Sequence, residues 1–365
     1  MSAAVTESAV LAALAPVTDP HTGRGFVANK QLKNLKVEGG DVSFDVELAY
    51  PADSQVAGFR KLLIAAARSV PGVSNVSAQV SWKVRSHAVQ RGVALLPTVK
   101  NVIAIASGKG GVGKSTTTVN LALALAAEGA RVGILDADIY GPSQPMMMGI
   151  QGRPESEDGK SIEPMRNHGV EVMSIGFMID PEDAMIWRGP MATQALDQLL
   201  NQTKWGELDY LLVDMPPGTG DIALTLCQRV PLTGAVIVTT PQDIALLDAL
   251  RGLKMFQKVN VPILGIVENM AVHVCPNCGH AEHIFGDGGG RRMAQKEGIE
   301  YLGALPLTLS IRQHADSGRP TVVAEPEGEI AGMYKQVART ITARISLQSK
   351  DFSAKFPTIT VSKAT

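Results

Sequence analysis

Three groups of residues in this chain of 365 are suited to chemistry. The first is Gly108-Lys109-Gly110-Gly111-Val112-Gly113-Lys114-Ser115-Thr116. It follows the apolar run Val102–Ala106 and opens a helical pattern from Ser115, the context that a phosphate-binding loop requires. Its glycines let backbone N–H groups turn inward as a nest for phosphate oxygens. The helix start adds the positive end of its dipole. In that frame Lys114 reaches the β- and γ-phosphates, Ser115 ligates Mg²⁺ and Thr116 bonds the α-phosphate. A plain glycine-rich turn would have no need of Lys-Ser at that offset.

The second group is acidic. Ile134-Leu135-Asp136-Ala137-Asp138 ends one apolar run with two carboxylates, and Tyr210-Leu211-Leu212-Val213-Asp214 ends another with one. Acids at the carboxyl ends of parallel strands stand where open α/β sheets bind ligands. Asp214, before Met215-Pro216-Pro217-Gly218, is placed to hold Mg²⁺ through a water; capping of a strand end is the alternative. The third group is Cys275-Pro276-Asn277-Cys278. Two thiols three positions apart converge on one metal or cluster, but two ligands do not complete a site. Four thiolates from two chains would hold a [4Fe–4S] cluster. His273, His280 or His283 would instead complete a mononuclear Zn²⁺ site. A redox dithiol and an inert turn are further readings, and spacing alone does not choose the metal. Cys227 lies on the apolar face of Leu224–Cys227 and reads as a small buried hydrophobe.

The elements that position these residues follow from pattern. Short, fully apolar runs at Val102–Ala106, Val132–Leu135, Val170–Ile175, Tyr210–Val213, Ala235–Val238 and Ile263–Val267 alternate with helical segments. That predicts a parallel sheet covered on both faces. The front of the chain reads differently. A helix over Glu7–Ala15 precedes strands at Leu32–Val37 and Val42–Leu48, joined by a turn at Gly39-Gly40. A helix over Val56–Val70 follows, with Phe59, Leu62, Leu63 and Ala66 on one face, then a strand over Val73–Val84. The expected organisation is a small α+β domain over 1–90, a linker over 91–100, an α/β P-loop domain over 101–348 and a tail over 349–365.

Composition sets outer bounds. Hydrophobic residues make up 45% of the chain and charged residues 19%, enough apolar material for a full core. Lys and Arg number 34 against 35 Asp and Glu. Such a balance gives no general pull toward nucleic acid or an anionic membrane. Three cysteines fit a reducing compartment rather than a disulfide scaffold. The first 20 residues read as neither a signal nor a transit peptide, and no apolar run spans a bilayer, so a soluble, cytoplasmic protein is expected.

The motifs taken together resemble the Mrp/ApbC family of iron–sulfur cluster carrier ATPases. The resemblance rests on Ser107–Thr116, Asp136–Ser143, Trp187-Arg188-Gly189-Pro190-Met191, Asp214–Asp221, Glu268-Asn269-Met270, Cys275–Gly279, and Pro306-Leu307 through Arg319-Pro320. It runs from about Asn101 to Ser346 and implies a P-loop ATPase, a homodimer and a labile [4Fe–4S] cluster between paired C-x-x-C motifs. It also implies that ATP and Mg²⁺ are cofactors, that a scaffold or donor supplies the cluster, and that apo iron–sulfur proteins receive it. Lys109 resembles the signature lysine of the deviant Walker A loop, which reaches the nucleotide of the partner subunit. By the same resemblance Asp138 orients the attacking water, Asp136 supports Mg²⁺ and Asn269 reads the adenine edge.

The front domain resembles a small iron–sulfur assembly domain through Val17-Thr18-Asp19-Pro20-His21-Thr22-Gly23. That domain often carries a cysteine after its second strand, where this chain has Tyr50-Pro51-Ala52-Asp53-Ser54. No metal is therefore assigned to it, and a docking or regulatory module is expected. A positioning ATPase of the septum-site or partition type shares the deviant loop. It would need an amphipathic tail or a basic face, and Lys350–Thr365 has no broad apolar stripe beside a basic one. A nucleotide switch with a structural zinc is the remaining alternative.

Overall fold

The computed structural model describes residues 5–90, 93–179 and 189–349. Trp187 and Arg188, part of the linker (91–92) and nearly all of the tail lie outside them.

An eight-stranded sheet forms the larger layer system. Its spatial order is Tyr301–Ala304, Ile263–Glu268, Gly234–Thr239, Val99–Ala106, Leu208–Asp214, Val132–Asp136, Val170–Ser174 and Met165–Asn167. Every neighbouring pair is parallel except the last, a short antiparallel edge strand. The alternation of a strand divides its side chains between two cores. Ile103 and Ile105 pack with helices Lys114–Ala127 and Glu329–Ser346 on one face. Val102, Ala104 and Ala106 pack with helices Gly189–Asn201, Asp221–Arg229 and Asp243–Lys258 on the other. Burial on both faces is why these strands read as unbroken apolar runs. This is the doubly covered α/β arrangement that the sequence pattern predicts.

The front of the chain builds a three-stranded sheet from Leu32–Glu38, Asp41–Leu48 and Asn75–Trp82. The first pair is antiparallel, and the second is parallel through the crossover helix Asp53–Arg68. Val42, Phe44, Val46 and Leu48 are all buried, as their alternation requires. The helix buries Phe59, Leu63 and Ala67. Leu62, expected on that face, is 49% exposed. Seen along 3.6 residues per turn, Phe59 and Leu63 define the stripe, and Leu62 falls about 100° off the latter.

Helices of the front unit and of the larger unit meet through a charged contact. The helix that starts at Lys114 is capped at its far end by Glu128, which is fully buried. The Glu128 carboxylate accepts the N–H of Ser54 at 3.0 Å and its hydroxyl at 2.7 Å, and pairs with Arg339 of the last helix. Arg339 also donates to the His21 ring at 3.2 Å. Burial is the main cause that lowers the His21 pKa, with Arg339 next. Ala343 of the last helix completes the front-domain core. The Asp53-Ser54 segment, where the resembled domain often has cysteine, is thus occupied in contact with Glu128.

Candidate nucleotide and thiol sites

The loop after Val99–Ala106 adopts the conformation its glycines predict. Gly111 and Gly113 have φ of +80° and +79°, left-handed values that side chains other than glycine rarely take. Gly113 caps the helix that begins at Lys114. Gly108 has a different role: a Cβ there would overlap the backbone of Asp248 and Ala249, so the loop packs directly on helix Asp243–Lys258. The carbonyl of Ser107 accepts the N–H of Gly218 at 3.0 Å, tying the loop to the segment after Asp214.

The three predicted acids converge on this loop. Asp136 and Asp214 are register partners on adjacent parallel strands. Lys114 is 6% exposed, and its ammonium lies 2.6 Å from Asp214 Oδ1 and 4.0 Å from Asp138 Oδ2. The Thr118 hydroxyl shares its one proton between the Lys114 carbonyl at 3.0 Å and the same Asp214 oxygen at 3.2 Å. Asp136 Oδ2 accepts the N–H groups of Ser143 and Gln144 at 3.0 and 3.1 Å and the hydroxyl of Ser174 at 3.0 Å. Burial, and then the neighbouring Asp214 charge, push the Asp136 carboxyl up to about 7. Burial also raises Asp138, against the pull of Lys114. Three carboxylates thus face one ammonium, an excess of negative charge suited to a bound cation.

Two buried polar atoms in this cluster, Ser143 Oγ and Gln144 Oε1, have no hydrogen-bond partner. An orphaned hydroxyl and an orphaned amide oxygen at a cluster of acids fit a hydrated group, which both donates and accepts. Among the described residues no three His, Cys, Asp or Glu side chains gather for direct coordination. Ser115 with Asp136 and Asp214 instead leaves most of a cation's shell to phosphate and water, as Mg²⁺ prefers. The residues present therefore fit a Mg²⁺–nucleotide.

Lys109 and Asn269 are placed differently. Lys109 is half-buried at the loop's start, where its carbonyl accepts the Ser107 hydroxyl at 2.8 Å. Asn269 is 6% exposed and donates its amide to the Val112 carbonyl at 2.9 Å. A Cβ on Gly113 would strike that amide, so Asn269 props the loop from beneath. Gln144, Thr118 and Ser174 bind the acids directly. No local spacing marks them, because each acts on a strand distant in sequence.

The cysteines lie on a small antiparallel hairpin, His273–Val274 with Ala281–Glu282, beyond the carboxyl end of strand Ile263–Glu268. Cys275 N–H donates to the His280 carbonyl and Gly279 N–H to the Cys275 carbonyl, both at 2.9 Å. Gly279 makes the reversal at φ +71°. The Asn277 N–H, then the N–H and thiol of Cys278, hydrogen-bond the Cys275 sulfur and lower its pKa. Cys275 is half-buried, Cys278 exposed, and Cys227 buried with its thiol pushed up to about 12 by burial. His273 and His283 direct Nδ1 to the carbonyls of Leu307 and Ala271, at 3.0 and 2.8 Å. They are not gathered with the thiols. Val274, Ile284 and Leu309 are large, exposed apolar side chains in this region.

Residues 98–342 match the family model described as NUBPL iron-transfer P-loop NTPase. The chain belongs to this family. Residues 7–80 match a second model, iron-sulfur cluster assembly protein. An iron-sulfur cluster carrier protein of Pseudomonas fragi is 58% identical over 281 residues, covering 76% of this chain and 98% of the relative. One from Synechocystis is 44% identical over 94% of this chain and 99% of its own. These relatives bear out the Mrp/ApbC resemblance. A solved nucleotide-binding protein of Archaeoglobus fulgidus, in complex with ADP, is 40% identical with a TM-score of 0.56, covering 64% of this chain and 90% of that one. The cell division ATPase MinD of Pyrococcus furiosus, 22% identical with a TM-score of 0.50 over 66% of this chain and 98% of that one, shares the fold. Among the described residues no helix is long and apolar enough to cross a membrane.

Proposed function

We propose that the protein hydrolyses ATP and carries [4Fe–4S] clusters, held between Cys275 and Cys278 of two chains, to apo iron–sulfur proteins. The observation that carries this reading is the thiol pair, Cys275 half-buried and Cys278 exposed, on a hairpin beyond the carboxyl end of the sheet, with no third His, Cys, Asp or Glu gathered to it among the described residues. Each chain then supplies two thiolates of the four a cluster requires. The exposed apolar residues Val274, Ile284 and Leu309 support a second chain covering this region. The names of the relatives support the cargo.

In this reading the loop N–H groups and Lys114 bind the phosphates, and Lys114 leaves Asp214 to do so. A bound Mg²⁺ would supply charge neutralisation at the phosphates. Ser115 and Asp214 hold it, Asp136 supports it, and Asp138 orients the attacking water. Asn269 supports the loop through the Val112 carbonyl and reads the adenine edge, and Lys109 reaches the partner's nucleotide.

Iron and sulfide counts after anaerobic reconstitution test the reading. The wild type should hold about two irons per chain, a [4Fe–4S] cluster per pair. The double substitution Cys275→Ala, Cys278→Ala should hold nearly none while still binding Mg²⁺–ATP. One zinc per chain that resists reconstitution would overturn the carrier reading in favour of a mononuclear site. Binding of anionic vesicles or DNA by the double variant as by the wild type, without iron in either, would favour the positioning class.

A further inference from the structure

Gln144 joins three parts of the nucleotide site, although it lies in none of their motifs. Its side chain is fully buried. The carboxamide Nε2 donates to Asp214 Oδ2 at 2.8 Å and to the Ser115 carbonyl at 3.1 Å. Its backbone N–H donates to Asp136 Oδ2 at 3.1 Å. The orientation of the amide follows from chemistry: both side-chain contacts are acceptors, so only the NH₂ group can face them. That leaves Oε1 turned away from Asp214 and Ser115, buried and unpartnered.

Asp214 is held by three donors, Lys114 and Thr118 on Oδ1 and Gln144 on Oδ2. Binding of phosphate removes Lys114 from that set. Thr118, whose proton is shared with the Lys114 carbonyl, then remains on one oxygen and Gln144 on the other. Only Gln144 also grips the carbonyl of Ser115, the residue whose hydroxyl shares the cation with Asp214. We propose that Gln144 is a positioning residue, which locks Asp214 to Ser115 while Lys114 exchanges carboxylate for phosphate and so presets the Mg²⁺ site. This rests on the ATPase reading above. The unpartnered Oε1 suits an acceptor for a water brought by the metal, since a buried carbonyl without a donor is otherwise rare.

Gln144→Met keeps the length and shape of the side chain and removes both donors. Gln144→Glu keeps the shape and sets an acceptor against Asp214. Manganese binding, read by electron paramagnetic resonance in the presence of ADP, measures the site without turnover. Outer-shell changes of this type weaken metal affinity or activity about 10- to 100-fold. Gln144→Met should weaken nucleotide-dependent Mn²⁺ binding by about tenfold or more, with Gln144→Glu at least as weak. Metal-free ADP affinity should stay near wild type, while the melting temperature should fall by a few degrees in both variants, because buried Asp214 Oδ2 loses its donor. In turnover, the Mg²⁺ concentration for half-maximal rate should rise more than KM for ATP. Wild-type Mn²⁺ affinity in Gln144→Met would overturn the inference. So would equal losses of metal-free and metal-dependent nucleotide binding, which mark a packing role. A wild type that binds Mn²⁺–ADP but hydrolyses no ATP would overturn the ATPase reading alone, and the Mn²⁺ comparison would still decide the role of Gln144.

Discussion

Replacing Asp136 by Asn should stabilise the nucleotide-free protein while weakening its response to Mg²⁺–ATP. Asp136 is fully buried, and burial with the adjacent Asp214 charge moves its carboxyl from 3.8 to about 7. Between those values the folded state keeps a proton that the unfolded chain releases. Stability therefore falls as pH rises through this window and is level above it. The loss is about 4 kcal/mol above pH 7 and about 2 kcal/mol at pH 5.5. Asn removes the titration, and its oxygen still accepts from Ser143, Gln144 and Ser174. Its amide then faces the N–H of Asp138, which bonds Asp136 Oδ1 at 3.2 Å. A buried donor left without an acceptor costs about 1–3 kcal/mol. The net expectation is a variant about 1–3 kcal/mol more stable than wild type at pH 8 and within about 1 kcal/mol of it at pH 5.5. At roughly 2–4 °C per kcal/mol for a unit of this size, the melting difference should be roughly 4–8 °C larger at pH 8 than at pH 5.5. Calorimetry at both pH values, with and without Mg²⁺–ATP, measures it. Nucleotide should raise the melting temperature of the wild type and much less that of the variant. An offset that does not change with pH would refute the buried-acid reasoning.

Lys114→Ala should lower ATP turnover by roughly two orders of magnitude or more, because positioning and charge neutralisation supply most of phosphoryl-transfer catalysis. Full turnover in the purified variant would remove Lys114 from the phosphate site. Lys109→Ala should slow hydrolysis while leaving nucleotide affinity and melting near wild type. An equal loss of affinity in the isolated chain would place this lysine on its own nucleotide. Arg339→Met leaves buried Glu128 with only Ser54 as a partner. It should destabilise the chain by about 3 kcal/mol, the low end for an orphaned buried charge. Unchanged thermal unfolding would show that Glu128 takes up a proton or water instead.

The central strands were legible because burial on both faces leaves them no polar positions to interrupt the run. Their ends were less so. Val102–Ala106 reads as the strand, whereas pairing begins at Val99, because Lys100 and Asn101 find partners. Lys100 lies 2.6 Å from Asp209, and the buried Asn101 donates to the carbonyls of Arg85 and Asp209. A satisfied polar residue continues a ladder that an apolar pattern would end. Met165–Asn167 and Tyr301–Ala304 gave little signal, being edge strands of three and four residues. A short edge has one paired side and needs no unbroken apolar run.

The candidate site divides along a similar line. The glycines, Lys114, Ser115 and the three acids could be read because each sits at a fixed offset from a strand end or a helix start. The pairing of Lys114 with Asp214 could not, since it joins residues 100 positions apart. Nor could Gln144, 70 positions from the carboxylate it holds. After Pro142 and Ser143, a glutamine reads as turn polarity. Its role comes from the parallel register that sets Asp136 beside Asp214. That register crowds two carboxylates onto neighbouring strand ends. Lys114 balances one negative charge, while the backbone N–H groups of Ser143 and Gln144 and the hydroxyl of Ser174 take up part of the rest. An arrangement this far from neutrality keeps Asp136 partly protonated near pH 7. A divalent cation would reverse that balance, which is why the same acids that weaken the empty fold should strengthen the loaded one.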